Sequence, residues 1–508
     1  MKTPLSMRLM VSMLEHAKRP CINQISYGQI QKLSDNYVNI LTTLRVQPND
    51  RIGILCSKKS PHQVAMMLAG WRKSAIIVPL PDDPHPGILP LVRPRVVLTP
   101  DFQITVPKDV HDLEKISAPS FTQTQTGDER PALILFTSGS TAAPKGVVLT
   151  HKNIISNLDM ISTLYDPSDI NCYDVSFSIL PWYHCYGLVC ELLFLMTRGA
   201  RLCVPYHPRN PMPEMKWIRP TVLFTVPKML ERLYKSEWNA LLPASLLRHA
   251  VWGNRLRMMS VGGSHCPKHI VEFFQDQYST PIYEGYGMTE SSPMIALNGP
   301  QPKDYRIGSV GKPLKGVETR IDPITKEIQV RSPSLMKGYL SSIDPLTRQI
   351  ETHPLDLVEG SWFPTGDKGY LDEQGFLYVM GRLKSEYKLS NGKYVNPEHI
   401  ESCLLQSSMI EQVLVMADPE TNARNICLVV LKENAKPEDT EPLLKEIQHR
   451  CVRGSVLSYE IPSRVYVLQE PFSVENGLLS LKMEPRRKEI ESRWRKGELA
   501  YRTFYSEE

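Results

Sequence analysis

Between Leu133 and Gly146 an apolar run gives way to Thr137-Ser138-Gly139-Ser140-Thr141-Ala142-Ala143-Pro144-Lys145-Gly146. Hydroxyls, small residues that expose backbone N–H groups, and one cation at Lys145 are what a polyphosphate requires. The loop is not of the G-x-x-x-x-G-K-[ST] type, because Pro144 stands where glycine is needed and Gly146 where Ser or Thr is needed. A small-residue turn after a strand is the plain alternative. A second cluster, Tyr283-Glu284-Gly285-Tyr286-Gly287-Met288-Thr289-Glu290, offers aromatic surface for a purine and glycines for close approach. Its Thr289 supplies a hydroxyl for phosphate and its Glu290 a carboxylate for Mg²⁺; an aromatic turn leading into a capped helix competes with this reading. In Trp362-Phe-Pro-Thr-Gly-Asp367 the ionised Asp367 can accept both hydrogen bonds of a ribose diol, and Arg382 can add a charged contact. Taken singly, these two are a turn cap and a surface charge.

Two further stretches complete the set. Val261-Gly262-Gly263-Ser264 ends a strand-like run, and Pro181–Gly187 places His184 in an apolar setting where a satisfied core histidine is the ordinary outcome. From Ile25–Ile30 and Gly70–Asp82 through these motifs to Ile490, the chain resembles the adenylate-forming superfamily of acyl-CoA synthetases, peptide-synthetase adenylation domains and firefly luciferase. The resemblance implies that Thr137, Ser138, Gly139, Ser140, Thr141 and Lys145 hold the phosphates of ATP. It also implies nucleotide contacts from Gly263, Ser264, Glu284, Gly285, Tyr286, Gly287, Thr289, Asp367 and Arg382, with Glu290 on Mg²⁺. His184 and Gly262 would border an acyl pocket, and Lys384 would be the hinge of a mobile C-terminal domain. Tyr387–Glu401, with its Ser390-Asn391-Gly392, is most similar to long-chain fatty-acyl-CoA synthetases and implies that Lys388 and Gly392 serve the acyl or CoA side.

Two positions depart from the superfamily pattern. Ala142 occupies a usual glycine, which costs roughly 1 kcal/mol or more if the backbone there needs positive φ. Glu475–Ser480 resembles the lead-in to the final motif, whose catalytic lysine falls, without a gap, on Glu484, with Lys482 two residues early. A carboxylate there would repel a substrate carboxylate and phosphate. A local shift that brings in Lys482 restores the pattern. The implied activity is conversion of ATP and a fatty acid to acyl-AMP and pyrophosphate, catalysed through Thr141, Lys145, Glu290 and Lys482, followed by attack of CoA. An acyl-carrier protein as acceptor, and a nucleotide- or acyl-binding protein without turnover, are the alternatives.

The elements that must position these groups follow from hydrophobic pattern. Apolar β-branched runs at Arg51–Cys56, Ala75–Pro79, Arg95–Leu98, Leu133–Phe136, Val222–Thr225 and Met258–Val261 alternate with amphipathic stretches such as Ser60–Trp71. This predicts largely parallel α/β sheets. From Gly308 to Val379 an alternating, Gly- and Pro-rich texture predicts antiparallel β structure. The tail predicts a helix over Asn396–Leu405, strands near Val413–Met416 and Ile426–Leu431, a helix over Pro442–Cys451, a loop at Lys432–Thr440 and a basic helix over Pro485–Lys496. The basic helix is a solvated terminal helix or a contact for CoA phosphates or an acidic carrier. Combined with the resemblance, the expected fold is α/β: residues 1–383 as two α/β subdomains plus a distorted β-barrel, and residues 384–508 as a small mobile α+β domain.

With 508 residues the chain has room for about three domains. Its 42% hydrophobic and 22% charged residues are ordinary globular values. A net charge of +5 gives no electrostatic case for nucleic acid. Ten scattered cysteines form neither a C-x-x-C pair nor a zinc cluster, which fits a reducing cytoplasm. No run reaches the ~20 apolar residues of a membrane span. Leu9, Met10, Met13 and Leu14 fall on one helical face that docks on the protein's own core or, alternatively, on a membrane surface.

Overall fold

The computed structural model describes residues 5–56, 58–106, 128–137, 144–208, 211–234, 252–264, 266–344, 350–353, 361–432, 440–454, 456–479 and 485–506. Two compact units are present. The first comprises Met1–Arg320, Gln329–Phe363 and Leu371–Tyr378; the second comprises Ile321–Ile328, Pro364–Tyr370 and Val379–Glu508.

The first unit carries two large sheets. In one, eight strands among the described residues run in the order Ile350–His353, Gly338–Ile343, Lys145–Thr150, Pro131–Thr137, Ile76–Leu80, Arg51–Leu55, Val96–Leu98 and Ile104–Thr105. The Arg51–Leu55 strand pairs parallel with both Ile76–Leu80 and Val96–Leu98. Such strands are buried on both faces and so read as continuous apolar runs. Helix Pro61–Arg72 covers this sheet. Ser60 and Gln63 close a capping box at its start, and Trp71 Nε1 donates to Ala132 O at 2.9 Å. The Pro131–Thr137 strand turns back antiparallel into Lys145–Thr150, with Thr137 opposite Lys145.

The second sheet has nine strands in the order Lys312–Pro313, Met294–Leu297, Ile282–Gly287, Met258–Val261, Val222–Thr225, Val175–Phe177, Arg201–Cys203, Pro20–Ile22 and Ile25–Ser26. Ile282–Gly287, Met258–Val261, Val222–Thr225 and Val175–Phe177 are mutually parallel, so their carboxyl ends share one edge. Phe177, Leu223, Met259 and Ile282 pack there with Trp252 and with Phe274 of helix Lys268–Tyr278.

The antiparallel region expected at Gly308–Val379 divides among three sheets. Lys312–Pro313 joins the second sheet, and Gly338–Ile343 pairs antiparallel with Lys145–Thr150 in the first. Glu318–Ile321, Glu327–Arg331, Phe363–Leu371 and Leu377–Arg382 form a four-stranded sheet of their own. Helix Leu5–Glu15 buries Leu9 and Met13 as expected, but Leu14 is 63% exposed. At 100° per residue Leu14 lies about 140° from Leu9, which swings it off the buried face. No helix among the described residues is long and apolar enough to cross a membrane.

In the second unit, strands Ile410–Ala417, Asn425–Leu431, Arg464–Leu468 and Tyr501–Ser506 form one sheet in that order. Helix Pro397–Leu404, capped by Asn396, and helix Thr440–Arg453 share its core through Ile400, Leu404, Leu443 and Ile447. On the outer edge of the sheet Val415 N donates to Glu401 at 2.6 Å, and Arg487 donates to Val415 O at 3.2 Å and to Glu401. This ion pair satisfies an edge residue that has no neighbouring strand on that side among the described residues. Arg487 opens the helix Arg487–Arg495, so part of the expected basic surface is half-buried in an ion pair. Of the loop expected at Lys432–Thr440, residues 433–439 lie outside the described ones.

Candidate functional site

Lys145 and Glu290 are 145 residues apart in sequence and meet at one side chain. Tyr339 Oη donates to Glu290 Oε1 at 2.8 Å, while Lys145 Nζ lies 5.2 Å from the centre of the Tyr339 ring. The second distance is within cation–π range. Topology produces this meeting: Tyr339 stands opposite Val147 in the antiparallel pair that Gly338–Ile343 makes with Lys145–Thr150. Burial and the Glu290 carboxylate push the Tyr339 phenol well above its usual range, so it stays a donor. Tyr339 carries no local sequence signal and was not among the expected site residues.

The turn holding Glu290 is clamped from several sides. Met336 N donates to Glu290 O at 2.7 Å, and Ser292 Oγ donates to Ser334 O at 2.8 Å. The buried Asn157 donates to Ser291 O and Met294 O. Gly287 permits the turn: a Cβ there would sit 1.9 Å from Pro293 O. Thr289 opens the short 3-10 helix Thr289–Ser291 and is half-buried. Thr137 ends its strand in the same half-buried state, and Lys145 begins the next one exposed.

At the carboxyl ends of the parallel strands, Gly262, Gly263 and Ser264 follow Met258–Val261, and Gly285, Tyr286 and Gly287 end the neighbouring strand. A Cβ placed on Gly262 would lie 3.4 Å from the Tyr186 ring and 3.6 Å from Gly285 O, so these three residues adjoin. Gly263 and Ser264 are exposed. Glu284 points the other way. It is 5% exposed, and its carboxyl receives the backbone N–H groups of Gly308 and Cys266, which fastens the loop after Ser264. Burial outweighs those bonds and raises it to about 8. His184 is half-buried with its ring 4.6 Å from that of Tyr183. Carboxyl ends of parallel strands are where open α/β sheets bind ligands.

The second unit gathers the remaining expected residues. Asp367 Oδ1 and Arg382 Nε are 3.6 Å apart, with the arginine side chain 68% exposed, so the pair contributes only ~0–1 kcal/mol. Thr365 Oγ1 donates to Ile328 O at 2.7 Å and accepts from Asp367 N at 3.2 Å, which sets the turn. Lys384 sits in the one-turn helix Leu383–Ser385; Glu398 accepts from Arg382 N and from Ser385 Oγ on either side of it. Lys388 lies 5.6 Å from the centre of the Tyr394 ring across a two-stranded hairpin whose turn contains Gly392. Ser138, Gly139, Ser140, Thr141 and Ala142 lie outside the described residues, as do Lys482 and Glu484. The ends of the latter stretch are Leu479 and Pro485, which form an antiparallel bridge.

Residues 14–340 match the model of the AMP-binding enzyme family. The chain belongs to that family. It is 26% identical over 446 residues to long-chain-fatty-acid–CoA ligase 5 of Rattus norvegicus, covering 75% of this chain and 64% of the relative, so it matches somewhat under two thirds of that relative's length. It is 31% identical over 348 residues to 2-succinylbenzoate–CoA ligase of Bacillus cereus, covering 66% of each. Among solved structures, ATP-bound MatB from Rhodopseudomonas palustris superposes with a TM-score of 0.77 at 21% identity, covering 97% of this chain and 99% of MatB. AMP-bound MenE from Bacillus subtilis gives 0.73 at 22%, covering 96% and 98%. The fold is thus that of adenylate-forming enzymes, mixed α/β with a large N-terminal and a smaller C-terminal domain.

Proposed function

We propose that this protein adenylates a carboxylic acid with ATP, releasing pyrophosphate, and passes the acyl group to the thiol of CoA. The observation that carries the reading is the Tyr339 junction, where the carboxylate of the second motif accepts from the phenol and the cation of the first lies over its ring. That is the pairing needed at a triphosphate: a cation for phosphate charge and a carboxylate for the accompanying Mg²⁺. A single carboxylate suits Mg²⁺, which keeps several waters and takes its other ligands from phosphates. Glu290 would hold the ion, whose role when bound is to neutralise charge on the phosphates.

In-line attack of the acid's carboxylate on the α-phosphorus forms the acyl–O–P bond and breaks the bond to pyrophosphate. Thr289 and the Thr137–Lys145 loop serve the phosphates, and Asp367 and Arg382 serve the ribose side. The thiol then displaces AMP. Lys482 supplies the cation beside the reacting carboxylate, and residues 384–508 turn about Lys384 between the two half-reactions. A fatty acid is the substrate class favoured by the Tyr387–Glu401 wording and by the fatty-acid ligase among the relatives; the 2-succinylbenzoate ligase among them makes aryl acids the comparison group.

Pyrophosphate exchange into ATP, run with fatty acids of graded length and aryl acids, tests the reading. Exchange with at least one acid, lost in Lys482→Ala, supports it. No exchange with any acid in the native protein, together with exchange in Glu484→Lys, would replace it with a nucleotide- or acyl-binding protein. Thioester formation with CoA against a carrier protein identifies the acceptor.

A further inference from the structure

Behind the strand-end turns lies a buried polar cluster in which none of the expected site residues takes part. Glu191 is 0% exposed and belongs to Tyr186–Leu193, wound as a π-helix. π-helical turns are rare and recur at functional sites. Glu191 Oε2 accepts from Ser178 Oγ at 2.8 Å and Oε1 accepts from Ser176 Oγ at 3.2 Å. The same Ser178 Oγ accepts from Lys59 Nζ at 3.3 Å and from Trp182 Nε1 at 3.2 Å, while Lys59 also donates to Ser178 O at 2.6 Å. A hydroxyl has one hydrogen to give and two lone pairs, and here all three are used. Burial lowers the Lys59 ammonium and raises the Glu191 carboxyl from their ordinary values. An enclosed charge pair of this sort contributes little net stability compared with apolar residues of similar volume.

What the cluster does fix is a length of chain. Ser178 N donates to Cys203 O at 2.7 Å, which sets one end of the segment, and Tyr186 Oη shares a hydrogen bond with Ser260 Oγ at 3.0 Å, which sets the other. Between them Trp182 and Cys185 are buried. Gly187 lets the segment close on itself, since a Cβ there would lie 2.5 Å from Pro181 O. Tyr183 and His184 are thereby presented half-exposed, and the Tyr186 ring is set against Gly262.

We propose that Lys59, Ser178 and Glu191 form a positioning unit that holds the Ser178–Tyr186 segment, and with it His184 and Tyr186, against the strand-end pocket that receives the carboxylic acid. The proposal rests on the adenylation reading above. It is specific in that the unit acts on the acid and leaves the ATP contacts alone. The relevant variants are Ser178→Ala, Glu191→Gln and the double apolar exchange Lys59→Met/Glu191→Leu. Pyrophosphate exchange gives the Michaelis constants for acid and for ATP, and thermal unfolding is followed in parallel.

Expected are a rise in acid KM of about tenfold or more with ATP KM within about twofold in both single variants. In the double variant the melting temperature returns to near the native value while the acid KM stays raised, because apolar residues replace the stability but not the geometry. Acid KM within about twofold of native in both singles, or recovery of acid KM along with melting temperature in the double, overturns the positioning role. Absence of exchange in the native protein with every acid overturns the adenylation reading itself and this role with it.

Discussion

Replacing Tyr339 by phenylalanine removes one oxygen and leaves the ring. The lost group is the donor to Glu290 at 2.8 Å, and the acceptor is a buried carboxylate 8% exposed. Hydrogen bonds to charged groups are worth ~1.5–3 kcal/mol. At about 1.4 kcal/mol per tenfold, Tyr339→Phe should lower kcat/KM for ATP by roughly 10- to 150-fold if Glu290 acts in its present orientation. The Lys145 contact with the ring face, 5.2 Å from its centre, survives in that variant. Tyr339→Leu removes it as well and should cost a further two- to fivefold or so, from ~0.5–1 kcal/mol of cation–π attraction. The assay is pyrophosphate exchange at varied MgATP with the acid saturating, and thermal unfolding checks that the strand still forms. A Tyr339→Phe protein within about twofold of native in kcat/KM for ATP would refute the claim that the two motifs meet here to act on phosphate.

Two further predictions concern buried charges. Glu284 titrates at about 8 in the folded protein against 4.5 when free, so its contribution to stability is complete below 4.5 and is lost as pH rises through 8. At ~1.4 kcal/mol per pH unit that gap amounts to roughly 5 kcal/mol, and Glu284→Gln should flatten the fall in melting temperature between about pH 4.5 and 8. Superimposable pH profiles for the two proteins would count against a buried, proton-holding Glu284. In the second unit Arg487→Met strands Glu401 beside Val415 and should cost ~3–5 kcal/mol in urea unfolding, most of it recovered in Glu401→Leu/Arg487→Met. Equal stability of Arg487→Met and native protein would sink this account of the sheet edge.

Strands read from apolar runs, such as Val222–Thr225 and Met258–Val261, coincide with the observed ones. Burial on both faces leaves its mark on every residue of such a run. The helix expected over Asn396–Leu405 is observed as Pro397–Leu404, with Asn396 as its cap. Sheet membership was not legible: the texture of Gly308–Val379 marks antiparallel β structure, but nothing local says that Gly338–Ile343 pairs with Lys145–Thr150, 190 residues earlier. Tyr339 was invisible for the same reason, since its role comes from that pairing. Glu191 was not among the expected site residues, because Ser178 reaches it, and Lys59 reaches Ser178, only through the fold. Glu284 sat in a recognisable motif, yet which way its side chain turns depends on Gly308 and Cys266, which close on it only in three dimensions.

The antiparallel return from Thr137 to Lys145 has a consequence for engineering. In loops that pass from a strand directly into a helix, the helix amino terminus lends its own positive end to a bound phosphate. Here the chain re-enters a strand, and the next helix begins only at His151, six residues and about 20 Å of extended chain beyond Lys145. Among the described residues no helix follows the loop directly, so the charge delivered at the strand's start is the ammonium of Lys145. A strand–helix phosphate loop transplanted onto this hairpin would therefore arrive without its dipole, and variants at Lys145 should tolerate arginine far better than any neutral residue.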